Sequence, residues 1–224
     1  MRGQAPPANL DEPSVALEPR PVVVKLGGSV VRSPELQAWL EVIAASPRPI
    51  VVVPGGGALA DEVRASQAQL GFGDDAAHRM ALLAVNQLAW AVAGLRAGFE
   101  VGDTEDALRA SLEQGRVAVW APYSLVANRS DIPQSWTVTS DSLALWLARR
   151  LGAECCYVIK SIRRQEPKPS AEQLARDGVV DEAFPAILKG ANFPVFLLGC
   201  GDQAALAASL AGTGEAPCRL TPMG

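Results

Sequence analysis

Val22-Val23-Val24-Lys25-Leu26-Gly27-Gly28-Ser29 decides how the chain is read. A short β-branched run stops at a lysine and then at two glycines, and a helix-like segment follows. Val22 to Leu26 suits a strand buried on both faces of a parallel sheet. Gly27 and Gly28 let the backbone turn with its amides pointing outward, and Lys25 puts a positive charge beside them. The pattern returns at Ile50-Val51-Val52-Val53-Pro54-Gly55-Gly56-Gly57, which runs into a helix expected over Ala58 to Gln69. Two such loops at the same end of one sheet can hold phosphates between them through backbone amides. Glycines after strands also make ordinary turns, and that reading stays open for either loop alone. Neither loop has the Gly-x4-Gly-Lys-Ser/Thr spacing or the dinucleotide Gly-x-Gly-x-x-Gly spacing, so another α/β fold is required.

With 224 residues, 49% of them apolar, the chain can bury a large core. A formal charge of −4 argues against nucleic-acid binding through a basic surface and leaves room for a small anionic ligand in a local pocket. No apolar run reaches the length of a membrane span, and the first twenty residues lack the apolar centre of a signal peptide, so a cytoplasmic protein with no membrane partner is expected. Cys155, Cys156, Cys200 and Cys218 show no Cys-x-x-Cys spacing and read as buried small hydrophobes. With a single histidine in the chain, no protein-held metal is expected.

Along the chain, residues 1–21 are proline-rich and read as a flexible tail. Ser33-Pro34-Glu35 opens a helix to about Ala45, with Leu36, Leu40 and Ile43 as its buried stripe. Asp74-Asp75 read as the cap of a helix reaching about Leu95. This helix is apolar nearly all round and is therefore buried or at a subunit interface, so a homo-oligomer is expected. His78 and Arg79 fall in its first turn, where an anion is favoured, although a histidine there also serves as a capping or solvated residue. A helix is expected within Glu100 to Gly115, and Val117 to Trp120 reads as the third strand. The polar loop from Asn128 to Ser142 carries Arg129, Ser135 and Trp136 and leads into a helix over Leu143 to Leu151. Thr139 or Ser140 can cap that helix, with Asp141 on its dipole; an ordinary helix start would need nothing more. Trp136 reads equally as a core residue or as the flank of a ligand's flat ring.

Lys25-x-Gly-Gly-Ser29, the Gly55-Gly56-Gly57 loop and Thr139-Ser140-Asp141-Ser142-Leu143-Ala144 together resemble, in order and spacing, the amino acid kinase superfamily over about Val22 to Leu220. That superfamily includes acetylglutamate, aspartate, uridylate and isopentenyl phosphate kinases. The resemblance implies an α/β fold, a three-layer αβα sandwich with a mainly parallel central sheet, forming one domain over residues 22–224. Its acceptor side would span about 22–150 and its nucleotide side about 151–224. His78-Arg79-Met80-Ala81 and the Ile132 to Ser142 segment resemble more narrowly the branch that includes the aminomethylfuran phosphate kinase of methanofuran biosynthesis.

By that resemblance ATP is the donor, with Mg²⁺ on the nucleotide, and the acceptor is a small phosphorylated molecule. Lys25 would stabilise the transferring group and Asp141 would orient Lys25 and its neighbours. Gly27, Gly28, Ser29, Gly55, Gly56, Gly57, Lys160 and Ser161 would hold the nucleotide and phosphates, and His78, Arg79, Arg129, Ser135, Trp136 and Ser140 the acceptor. Lys160 is the best candidate for a second phosphate lysine, ahead of Lys168 and Lys189. Arg163-Arg164 stand where many members have Asp-Gly. A non-catalytic nucleotide- or oxyanion-binding relative is the alternative, as is a kinase for isopentenyl phosphate, uridylate or an amino acid carboxylate.

Overall fold

The computed structural model describes residues 18–163, 169–214 and 217–221. The tail expected over residues 1–21 lies outside the described residues as far as residue 17, and so do Arg164 and Lys168. The last part of that stretch is pinned: the Arg20 guanidinium donates to the Gly152 and Ala153 carbonyls at 2.9 and 2.7 Å.

Seven strands form one sheet: β1 (Val22–Leu26), β2 (Ile50–Pro54), β3 (Phe99–Gly102), β4 (Val117–Trp120), β5 (Cys155–Ile159), β6 (Val195–Leu198) and β7 (Cys218–Arg219). Their order across the sheet is β3-β4-β2-β1-β5-β6-β7, parallel except for the antiparallel β6–β7 pair. The chain builds outward from β1 in both directions, so β1 lies between β2 and β5. In open α/β sheets ligands bind at such a reversal, beyond the carboxyl ends of the strands, and both glycine loops and Lys160 leave the sheet there.

Period-two alternation makes β1 serve two cores at once. Val22, Val24 and Leu26 pack with Trp39, Leu40 and Ile43 of α1 (Leu36–Ala44) and with Leu206 and Leu210 of α9 (Gln203–Ala211). Val23 faces the opposite layer, with Leu143, Leu145 and Leu147 of α6 (Ser140–Arg150). Lys25, two residues on, shares the face of Val23 and therefore meets the start of α6. The expected three layers are thus present.

Several boundaries differ from the expectation. A 3-10 turn over Val30–Arg32 intervenes before α1, and Ser33 turns back onto the Val30 carbonyl instead of capping. Helix α2 spans Gly57–Leu70 and α3 spans Asp74–Gly94; Asp74 and Asp75 lie inside the first turn of α3, whose cap position is Gly73. His78 is therefore in the second turn of α3, where its own N–H already has an intrahelical partner, so the expected anion site at a first turn is corrected. Val117–Trp120 is the fourth strand, because Phe99–Gly102 forms an edge strand ahead of α4 (Glu105–Glu113). A one-turn helix, α5 (Tyr123–Val126), stands between β4 and the polar loop that begins at Asn128. Beyond β5 come α7 (Ala171–Arg176) and α8 (Phe184–Lys189). Cys155 and Cys156 are buried in β5, whereas Cys200 is exposed and Cys218 half-buried, so the buried reading holds for the vicinal pair alone.

Candidate active site

Lys25, the last residue but one of β1, is 2% exposed, a burial that an ammonium tolerates only with a partner. Its partner is Asp141, the second residue of α6: Nζ lies 2.5 Å from Oδ1. Lys160, just past β5, contacts the other oxygen at 2.6 Å. One carboxylate thus fixes two ammonium groups side by side at the carboxyl ends of adjacent strands, with net charge +1. Burial pushes Lys25 down to about 8 against the pull of Asp141, and Lys160 adds to the push. Burial works against the charge of Asp141, but the two lysines outweigh it and hold the carboxyl below its usual range.

These values give a pH signature. Lys25 loses its charge in the folded protein near pH 8, whereas unfolded it would keep it to about 10.5. Activity of the free enzyme, read as kcat/KM for the phosphoryl donor, is expected to fall as pH rises through about 8. Fold stability has the opposite sign: between these two values the unfolded state binds more protons, so the Lys25 contribution to stability rises with pH. A flat kcat/KM profile from pH 7 to 9.5 would remove Lys25 from the charge-bearing role.

The two glycine loops interlock. A Cβ built on Gly28 would stand 2.5 Å from the Gly57 nitrogen, and one on Gly55 would stand 2.5 Å from the Gly28 nitrogen. The loops are tied to the sheet where Gly27 N–H donates to Ile159 O and Gly55 N–H to Leu26 O, both at 2.8 Å. Ser29 Oγ and Ser161 Oγ meet at 2.5 Å, bridging the turns after β1 and β5. Above them opens a cavity of about 350 Å³, lined by Lys25, Gly28, Ser29, Gly55, Gly56, Gly57, Lys160 and Asp141 at one end. His78, Arg64, Ser135, Trp136, Thr139 and Ser140 line the remainder.

The expected site residues therefore separate. His78 is 5% exposed, and its Nε2 is buried without a hydrogen-bond partner on the cavity wall. Burial, helped by the Arg79 charge, lowers its pKa, which keeps the imidazole neutral at pH 7. Arg79 is not in the lining; its guanidinium donates to Asn128 Oδ1 at 3.1 and 3.2 Å. Arg129 is also outside it, forked onto Asp131 and lying 5.2 Å from the Trp146 ring centroid. Gly27, Ser161 and Lys189 are not in the lining, and Lys189 Nζ lies 3.9 Å from Glu172 Oε1. Trp136 is half-buried on the cavity wall, not in the core.

Two residues that the motifs did not reveal complete the site. Arg64 lies seven residues after Gly57 on α2, and the helical repeat of Gly57, Ala60, Asp61 and Arg64 brings all four to the cavity. Asp181 has no local signal. It caps α6 from about forty residues away: Oδ2 accepts from Thr139 N, Thr139 Oγ1 and Ser142 N at 2.9, 2.9 and 3.0 Å, and Oδ1 accepts from Ser142 Oγ. Thr139 holds the cap position of α6 as expected, but its side chain makes no capping bond and donates to Asp181 instead. Burial, with the Asp141 charge nearby, raises the Asp181 pKa. Asp181→Asn turns an NH2 group toward donors and should cost about 1–3 kcal/mol of stability. Because α6 carries Asp141, kcat should fall more than either substrate's KM rises. Unchanged kcat would make the cap purely structural.

A buried lysine and a half-buried one on a shared aspartate, set against two glycine loops that can approach phosphates closely, are phosphotransferase chemistry. The model of the amino acid kinase family matches residues 20–164, well over half of the chain, and the chain belongs to that family. A [5-(aminomethyl)furan-3-yl]methyl phosphate kinase of Methanocaldococcus jannaschii is 28% identical over 179 residues, covering 75% of this chain and 82% of that protein. Among solved structures, the uridylate kinase of Archaeoglobus fulgidus superposes with a TM-score of 0.64 at 18% identity, covering 89% of this chain and 99% of that one. The UMP kinase of Bacillus anthracis gives 0.62 at 16% identity, covering 92% and 97%. The protein is a kinase with the amino acid kinase fold.

Among the described residues no group of three or more His, Cys, Asp or Glu side chains is placed to hold a metal ion. No helix of the described residues is long and apolar enough to cross a membrane.

Proposed function

We propose that this kinase moves the γ-phosphoryl group of ATP onto the phosphate of a small phosphomonoester, making a diphosphate. The first candidate acceptor is [5-(aminomethyl)furan-3-yl]methyl phosphate. The observation that carries the reading is His78: a neutral, buried, unpartnered nitrogen in the same cavity as Lys25 and Lys160 is a polar group waiting for a ligand atom. The relative from Methanocaldococcus jannaschii supports this acceptor, and the resemblance to its branch supports a place in methanofuran biosynthesis and one-carbon metabolism.

An oxygen of the acceptor phosphate attacks the γ-phosphorus, the bond to the β,γ-bridging oxygen breaks, and ADP leaves. Phosphate is ionised near neutrality, so no general base is required. Repulsion between two anions is the obstacle, and Lys25 and Lys160, held by Asp141, offset it. The glycine-loop amides take phosphate oxygens. Mg²⁺ carried on the nucleotide phosphates would neutralise charge there. ATP as donor supports a cytoplasmic location. The exposed stripe Met80, Leu83 and Trp90 on α3, with Trp90 68% exposed, supports a homo-oligomer built on that helix.

An ATP-consumption screen with Mg²⁺ against aminomethylfuran phosphate, isopentenyl phosphate, uridylate, acetylglutamate and aspartate tests the reading. Turnover of a phosphomonoester is expected, with His78→Ala raising its KM far more than that of ATP. Turnover only with a carboxylate would discard it.

A further inference from the structure

Among the described residues the charged side chains lining the cavity are Lys25, Lys160, Asp141, Asp61 and Arg64. Both lysines are committed to Asp141 at the strand ends, where the transferred group passes. A second phosphate needs a cation of its own. Arg79 is turned away onto Asn128, and His78 is neutral. Among the described residues Arg64 is what remains.

Its geometry is already organised. The guanidinium carbon stands 3.8 Å from the Trp136 ring centroid, and Trp136 Nε1 donates to Gln67 Oε1 at 2.7 Å. Gln67 is three residues beyond Arg64 on α2, so helix and loop close a triangle that clamps the guanidinium plane. Stacking uses the flat face and leaves the N–H edge free for a bidentate contact. No carboxylate pairs with Arg64 among the described residues, although Asp61 lies one turn earlier.

We propose that Arg64 is the receptor for the acceptor's phosphate dianion and that Trp136 is a positioning residue that holds it. The inference rests on the phosphomonoester reading and assigns the anion to a particular side chain. It also gives one face of the Trp136 ring to the arginine and not to the acceptor's ring.

Calorimetry with inorganic phosphate, titrated into protein saturated with Mg²⁺ and a non-hydrolysable ATP analogue, tests it while nucleotide subsites are filled. Arg64→Ala should weaken phosphate about 10- to 100-fold, the range for hydrogen bonds to a charged group. Arg64→Lys, which keeps the charge but not the fork, should fall between. Trp136→Phe should keep most of the affinity, and Trp136→Ala should lose about 2- to 5-fold. In the Arg64→Ala background Trp136→Ala should add nothing. Equal phosphate affinity in wild type and Arg64→Ala overturns the proposal, as does wild type that binds no phosphate, or a Trp136→Ala loss that persists without Arg64. In kinetics, acceptor KM should follow phosphate affinity while ATP KM stays constant. If no phosphomonoester is turned over but phosphate binding still needs Arg64, the acceptor reading falls and the anion receptor stands.

Discussion

Asp141→Asn is expected to destabilise the fold by about 3–5 kcal/mol, the usual cost of stripping the partner from a buried charge, and to abolish measurable turnover. Two ammonium groups would be left side by side with no anion between them, one of them, Lys25, only 2% exposed. Lys25→Met should behave oppositely in stability. It removes one positive charge from a cluster of net charge +1, leaves Asp141 paired with Lys160 at 2.6 Å, and fills the same volume with an apolar chain. Denaturation midpoints for this variant should match or exceed wild type, while kcat falls about 100- to 1,000-fold, as when one charge-stabilising donor is lost. The comparison separates the two duties of the cluster. In the proposed mechanism Asp141 would serve both fold and chemistry, and Lys25, whose burial lowers its own pKa, would serve chemistry at some cost to the fold. A Lys25→Met protein that unfolds as readily as Asp141→Asn would contradict that division, and one that keeps its rate would remove Lys25 from the mechanism.

How far the residues alone could foretell this site depends on the range of each interaction. The strand-glycine stretches were legible because burial, turning and charge are local properties of a few consecutive residues. Lys25, both loops and the Asp141 helix start all converge as those stretches imply. Arg79 did not: it leaves α3 about 100° round from His78, and its guanidinium is bound to Asn128 outside the lining. Arg64 was readable by the same rule, seven residues along the face that begins at Gly57, but it carries no motif. Phe99–Gly102 escaped because it is a half-buried edge strand of four residues with a glycine at its end. Asp181 could not have been found locally, since its partners lie about forty residues away.

Gly28→Ala is expected to disable the enzyme through backbone contact alone. Its Cβ would stand 2.5 Å from the nitrogen and 2.7 Å from the Cα of Gly57, and neither is a side chain that can swing aside. The loops must separate, yet the hydrogen bonds Gly27 N–H to Ile159 O and Gly55 N–H to Leu26 O pin both to the sheet. Overpacking of this kind costs about 1–3 kcal/mol. Activity should suffer more: a displacement of about 1 Å in a positioned reacting group is enough for about a 100-fold loss in rate, and in the proposed mechanism these loops would set the distance between donor phosphates and Lys25. Gly94→Ala is the matched control. Gly94 ends α3 with no positive φ and nothing within 4 Å of a built Cβ, so alanine there should be neutral or stabilising by about 0.4–1 kcal/mol, with kcat unchanged. Single-turnover rates and denaturation midpoints for the pair decide the matter. Wild-type turnover in Gly28→Ala would mean that the two loops can part without disturbing the chemistry, and that their contact is not what aligns the phosphates.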